Sequence, residues 1–192
     1  IEEGDDPVAF DHDCREGICG MCSMYINGSP HGPNRGVTTC QLHMRSFKDG
    51  DTIYIEPWRA KAFPVIKDLA TNMDPFFDKW VKAEAVHHSS ASRDEEMMVV
   101  LPDDAERKKA DAGIECINCA VCYAACDTVA GNADYLGPAA LQRAWTLYND
   151  ARDAGKQTIL EAVSGAGGCH NCHAQGGCSH YCPNELNPMQ AI

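Results

Sequence analysis

No stretch of this sequence is long and apolar enough to span a bilayer. Its longest cysteine-free apolar run, Met97–Leu101, falls far short of the roughly 20 residues a crossing helix requires. Basic residues are scarce too: 16 Lys and Arg stand against 28 Asp and Glu, a formal charge of −12. A phosphate-gripping face needs clustered cations, so no nucleic-acid partner is expected. The first residues carry no charged-then-apolar leader. A nucleophile–base pair and a phosphate-cradling glycine loop are also missing, because Gly165–Gly168 runs straight into a cysteine-bearing stretch. No substrate-transforming site is therefore expected on this chain. Wholesale disorder is excluded by an apolar share of 44%, which is ordinary for globular chains.

Cysteine is what the sequence has in excess. Twelve fall in three bunches: Cys14, Cys19, Cys22 and Cys40; Cys116, Cys119, Cys122 and Cys126; Cys169, Cys172, Cys178 and Cys182. An even count would suit the disulfides of a secreted mini-protein, but 192 residues exceed that class. The C-x2-C steps suit metal chelation, since one centre can take several thiolates from a turn or two of backbone.

The first bunch reads C-x4-C-x2-C with Cys40 beyond it, the plant-type spacing for a 2Fe–2S cluster. A loop wrapping a small anionic core must turn its N–H groups inward, and Gly17 and Gly20 allow the left-handed dihedrals this demands. The competing reading is zinc, which prefers paired C-x2–4-C halves and predicts a colourless, redox-inert interaction module. The second bunch is C-x2-C-x2-C-x3-C, in which three thiolates hold one 4Fe–4S cluster and the fourth reaches over to another. In the third, Cys172, Cys178 and Cys182-Pro183 repeat that run, with Gln175 at the second ligand position. A cubane site one thiolate short holds three irons firmly, so a 3Fe–4S cluster is expected there. Exchange of the fourth cysteines assigns Cys116, Cys119, Cys122 and Cys182 to the 4Fe–4S centre. It assigns Cys126, Cys172 and Cys178 to the 3Fe–4S centre. Cys169 is left over, either as a spare buried thiol, the reading taken here, or as a fourth ligand that makes the third centre a second 4Fe–4S cluster.

Pattern divides the chain into three stretches. Residues 1–60 read as turn-rich β structure, with strands over 23–26, 37–39 and 51–56 and a turn at Asn27-Gly28. Residues 61–100 read as connecting helices and linker: Val65, Ile66 and Leu69 share one helical face, and Phe76, Phe77, Trp80 and Val81 another beyond Asp74-Pro75. The polar stretch 85–95, with His87 and His88, reads as a solvated loop rather than a metal site. Residues 101–192 read as helical, with a charged helix over 103–110 and an amphipathic helix opened by Gly137-Pro138 and carrying Leu141, Ala144, Trp145 and Tyr148. Leu160 and Val163 fall on a further helix, and Asn187-Pro188 starts another. Both ends are expected to be cut short.

Taken together, Phe10–Asp13 with CREGICGMC at 14–22, CINCAVCYAAC at 116–126, CHAQGGCSHYCP at 172–183, Gly137–Leu141 and Asn187–Ile192 resemble the iron–sulfur subunit of succinate dehydrogenase and fumarate reductase. The resemblance implies an α+β fold, with an N-terminal β-grasp 2Fe–2S ferredoxin domain (truncated) followed by an all-α ferredoxin-like domain. It implies an electron-transfer subunit between a flavoprotein catalytic subunit carrying FAD and a cytochrome b-type membrane anchor, with quinone and in some members haem on the partners. Electrons would pass through the 2Fe–2S, 4Fe–4S and 3Fe–4S centres toward quinone, or backwards in fumarate-reducing members. The place implied is the cytoplasmic face of a bacterial inner membrane, or the matrix side in a mitochondrion, peripheral through the anchor. His173 matches a His that borders quinone in some members; a His bonded to backbone beside a cluster is the alternative. Docking would also cover apolar residues such as Trp58, Phe63, Phe76 and Phe77. The sequence departs from the family in a longer Cys22–Cys40 excursion, in Asp127 where Pro follows the fourth Cys, and in Gly131 where some members place a quinone-contacting Trp. A thiol-linked or methylmenaquinol-linked fumarate reductase subunit stays open as the alternative within the class.

Overall fold

The computed structural model describes residues 3–59 and 62–192. Strands β1 (Tyr25–Ile26) and β2 (Ser29–Pro30) form a hairpin around Asn27 and Gly28, whose φ angles of +50° and +77° are those of a type I′ turn. Strand β3 (Ile55–Glu56) pairs antiparallel with the other edge of β1, setting Tyr25 opposite Glu56. Only these two residues of the stretch 51–56 are strand. Asp51 instead closes a turn with Lys48, whose N–H donates to Asp51 Oδ2 at 2.7 Å. The strand expected over 37–39 is not formed either. Thr38 turns the chain by giving its N–H and Oγ1–H to Gln41 Oε1, each at 3.3 Å, and a 3₁₀ turn, Thr39–Gln41, follows. These local side-chain bonds displace ladder pairing.

The connector corrects the helical reading of 65–69. Here β4 (Val65–Lys67) and β5 (Ala70–Thr71) form a second hairpin, with Asp68 at φ +49° in its turn. Val65 and Ile66 are exposed, and the hairpin leans back on the N-terminal segment. There the Leu69 N–H donates to the Ala9 carbonyl at 3.0 Å, and the Ala9 N–H donates to Asp68 Oδ2 at 2.8 Å. Helix α1 (Asp74–Lys82) forms where Asp74-Pro75 signals it. Phe76 is fully buried on it, whereas Phe77 and Val81 are exposed.

The C-terminal part is helical. Helix α2 (Ala105–Ile114) is capped by Asp104, which accepts from the Glu106 and Arg107 N–H groups at 2.9 and 3.0 Å. Two short helices follow inside the second cysteine run, α3 (Val121–Ala124) and α4 (Asp127–Gly131). Helix α5 (Pro138–Tyr148) is the central pillar, in contact with α1, α2, α6 (Lys156–Ser164) and α8 (Pro188–Ala191). On α6 the residue that enters the core is Ile159, while Leu160 is exposed. Helix α7 (Gly177–His180) lies in the third cysteine run. Asn187 caps α8 by accepting from the Gln190 N–H.

One core joins the two halves. From Tyr25 and Trp58 at the sheet, aromatic rings follow through Phe63 to Phe76 and Tyr123, with centroids 5.2 to 6.5 Å apart. Trp58, Phe63 and Phe76 are therefore interior; of the four apolar residues expected at a docking face, Phe77 alone is exposed. Among the described residues, no helix is long and apolar enough to cross a membrane.

Candidate metal centres

The first thiol loop is shaped by backbone that most residues avoid. Arg15, Gly17 and Gly20 take φ values of +58°, +80° and +72°, winding the chain so that N–H groups face sulfur. The Glu16 N–H donates to Cys14 Sγ at 3.3 Å, and the Cys40 N–H donates to Cys22 Sγ at 3.4 Å. The Glu16 amide, then that of Ile18, holds the Cys14 thiol down at about 6, while burial pushes the Cys22 thiol up. The 3₁₀ turn at 39–41 delivers Cys40, with Thr38 Oγ1 3.2 Å from its sulfur. The structure thus sets Cys22 beside Cys40, and Cys14 within reach of Cys19.

This loop rests directly on the second one. A Cβ at Gly20 would lie 2.4 Å from the Ile117 carbonyl oxygen and 2.8 Å from the Cys119 nitrogen. Ser23 Oγ bonds the Gly20 and Cys119 carbonyls at 2.9 and 2.7 Å, and the Tyr25 hydroxyl donates to the Ala124 carbonyl at 3.2 Å.

Two further cavities are lined by thiols. One is walled by Cys116, Cys119, Cys122 and Cys182, together with Ile117, Ala120, Val121 and Leu186. The other is walled by Cys126, Cys172 and Cys178, with Tyr135, His173 and Gln175. The last cysteine of each run thus leaves its own loop and reaches the other's cavity. The backbone repeats as well. Asn118 and Ala120 in one run, and Ala174 and Gly176 in the other, all have positive φ, and Ala120 and Gly176 each open a four-residue helix. In this repeat Gln175 occupies the place of Cys119. Cys169 lies in a 3₁₀ turn, half-buried against the core, and lines neither cavity. His173 is exposed at the edge of the second cavity, and Gly131 ends α4 with open space around it.

The donor chemistry fits a bound polynuclear metal group. Burial pushes the Cys119 thiol up to about 12 and raises Cys116, Cys122 and Cys178 as well. Without a cation these thiols stay protonated; a metal compensates the buried thiolates. Among the described residues, no three His, Cys, Asp or Glu side chains converge tightly enough to hold a single metal ion; the thiols stand around cavities instead. His87 is exposed in a loop, as expected, and its Nδ1 lies 3.0 Å from Oδ2 of the buried Asp153. Sequence reading also passed over Tyr135 and Gln142, two buried polar residues on the walls of the second and first cavities. Neither stands in a motif; the one signal is their closeness in sequence to Gly137-Pro138.

Two family models match, one described as "2Fe-2S iron-sulfur cluster binding domain" over residues 1–78 and one as "4Fe-4S dicluster domain" over 115–187. The chain is 34% identical to the succinate dehydrogenase iron–sulfur subunit of Paracoccus denitrificans, over 99% of this chain and 69% of the relative. It is 32% identical to a mitochondrial succinate dehydrogenase iron–sulfur subunit of Oryza sativa subsp. japonica, covering 99% and 64%. Against the fumarate reductase iron–sulfur subunit of an Escherichia coli O6:H1 strain it is 30% identical, covering 96% and 71%. Among solved structures, a chain of the Mycobacterium smegmatis "Sdh1 complex in the apo form" shares the fold, with TM-score 0.76 at 22% identity over 96% of this chain and 74% of that one.

Proposed function

This chain belongs to the family of iron–sulfur subunits of succinate dehydrogenase and fumarate reductase, and from that premise we propose that it relays electrons between the FAD of a catalytic flavoprotein subunit and membrane quinone. The clusters, when bound, supply the one-electron carriers: a 2Fe–2S, a 4Fe–4S and a 3Fe–4S group. Cys14, Cys19, Cys22 and Cys40 hold the first. Cys116, Cys119, Cys122 and Cys182 hold the second, and Cys126, Cys172 and Cys178 the third, with Cys169 a spare thiol. The chain's own contribution is to exclude water, donate backbone N–H groups to sulfur and keep the sites close. We read residues 1–60 as a β-grasp domain and 101–192 as the helical dicluster domain. A membrane anchor subunit would hold the chain at the cytoplasmic face of a bacterial inner membrane, or on the matrix side in a mitochondrion, with His173 toward quinone.

The observation that carries this reading is the exchange of Cys182 and Cys126 between the two cavities, the arrangement of paired clusters. Iron analysis with EPR of the air-oxidised protein tests it. The expected result is about nine irons, following from the three cluster types, and a paramagnetic oxidised three-iron signal that survives Cys169→Ser. About ten irons and EPR silence would make Cys169 a ligand, and a colourless iron-free protein would end the relay proposal.

A further inference from the structure

Six buried side-chain polar atoms among the described residues lack a hydrogen-bond partner, and two of the residues, Tyr135 and Gln142, line thiol cavities. Tyr135 is the sharper case. It is 1% exposed, its ring belongs to the core, and its hydroxyl makes no hydrogen bond of good geometry in the chain, although Cys172 lies beside it. The backbone fixes it there. The Tyr135 N–H donates to the Asn132 carbonyl at 3.3 Å, and the Leu136 N–H donates to the Gly167 carbonyl at 2.7 Å. Pro138 then begins α5. A buried hydroxyl left unpaired is costly, and native chains rarely leave one so. Its acceptor therefore lies in the cavity it shares with Cys126, Cys172 and Cys178: the sulfur of the neighbouring Cys172, or the group that fills the cavity. Thiolate and sulfide sulfurs have no proton to give, which leaves the hydroxyl as donor.

We infer that Tyr135 donates a hydrogen bond to sulfur of the three-iron centre and raises that centre's reduction potential; this rests on the assignment of the third cluster above. The physical reason is charge. A hydroxyl held at fixed distance would stabilise the reduced form of a bound centre, whose sulfurs would be more negative, more than the oxidised form. The proton stays on the tyrosine in both states.

The test is a redox titration of the oxidised three-iron EPR signal in the assembled, cluster-loaded complex. Tyr135→Phe removes the hydroxyl and little volume. The expected outcome is unchanged iron content and a roughly tenfold weaker tendency to reduce, equal to a midpoint about 59 mV lower for one electron. Tyr148→Phe, at the opposite end of α5 and lining neither thiol cavity, leaves the midpoint where it was. A fluorotyrosine placed at position 135 keeps the hydroxyl, donates more strongly and moves the midpoint upward. A midpoint unmoved in both 135 variants overturns the inference, and so does loss of the third centre in Y135F without an upward shift in the fluorotyrosine protein. If the unmodified complex gives no oxidised three-iron signal, the cluster assignment itself has failed.

Discussion

Replacing Gly20 by Ala tests whether the first thiol loop is seated on the second. Two costs separate cleanly. A Cβ at φ +72° costs about 1–2 kcal/mol in the left-handed region. Contact adds the rest: at 2.4 Å from the Ile117 oxygen, the new methyl is about 1 Å inside the ordinary contact range that begins at 3.4 Å. All three obstructing atoms, the Ile117 oxygen and the Cys119 nitrogen and Cα, belong to backbone, so relief requires the loops to part, an overpacking penalty of about 1–3 kcal/mol. The total, about 2–5 kcal/mol, corresponds to a fall in Tm on the order of 10 °C for a chain of this size. Gly50→Ala is the matched control, because Gly50 has φ +86° and nothing within 4 Å of a Cβ. It should lose only the dihedral cost. The assay is thermal unfolding of the cluster-loaded protein, read by near-UV circular dichroism with iron content checked before and after. Equal loss in the two variants would show that the loops do not touch, and would remove the basis for close spacing of the first two centres.

Other expectations follow from buried groups. Burial pushes His31 from 6.5 down to about 4, so the unfolded chain takes up a proton that the native chain refuses. Stability is then full above about pH 6.5 and declines as pH falls to about 4, by about 3 kcal/mol at about 1.4 kcal/mol per pH unit; denaturant titrations across that range should show this slope, and His31→Gln should flatten it. Asp153, whose side chain is wholly buried, accepts the Gly155 N–H at 2.7 Å and the His88 N–H at 3.2 Å. Asp153→Ala should therefore cost about 2–4 kcal/mol in urea unfolding, with Asp153→Asn milder. Removing iron by chelation should abolish most of the helical dichroism of the C-terminal part, since its short helices are pinned by thiols that no longer share a partner; a retained native spectrum would refute this.

Much of the site was legible because ligand spacing is written in the chain, and Gly17 and Gly20 announce a left-handed loop by themselves. Helices α1, α5 and α8 were equally legible, each with Pro in its first turn. The hairpin over 65–71 was not. Val65, Ile66 and Leu69 fit a helical face, but Val65–Lys67 pairs with Ala70–Thr71 around a turn at Asp68-Leu69 that carries no glycine and is tied to the distant Ala9, so no local pattern announces it. The four- and five-residue helices α3, α4 and α7 escaped for another reason: they are too short to show a period. The contact of the exposed His87 with Asp153 escaped because the two are far apart in sequence.

The aromatic series from Tyr25 to Tyr123 leaves no seam between the part that carries the first thiol loop and the part that carries the other two. Filling one site therefore stabilises the scaffold of the others, and emptying one weakens all. Iron acquisition by this chain should be close to all-or-none, with half-filled molecules scarce at equilibrium. A cut placed between residues 58 and 63 would yield two fragments that each expose large rings, rather than two working ferredoxins.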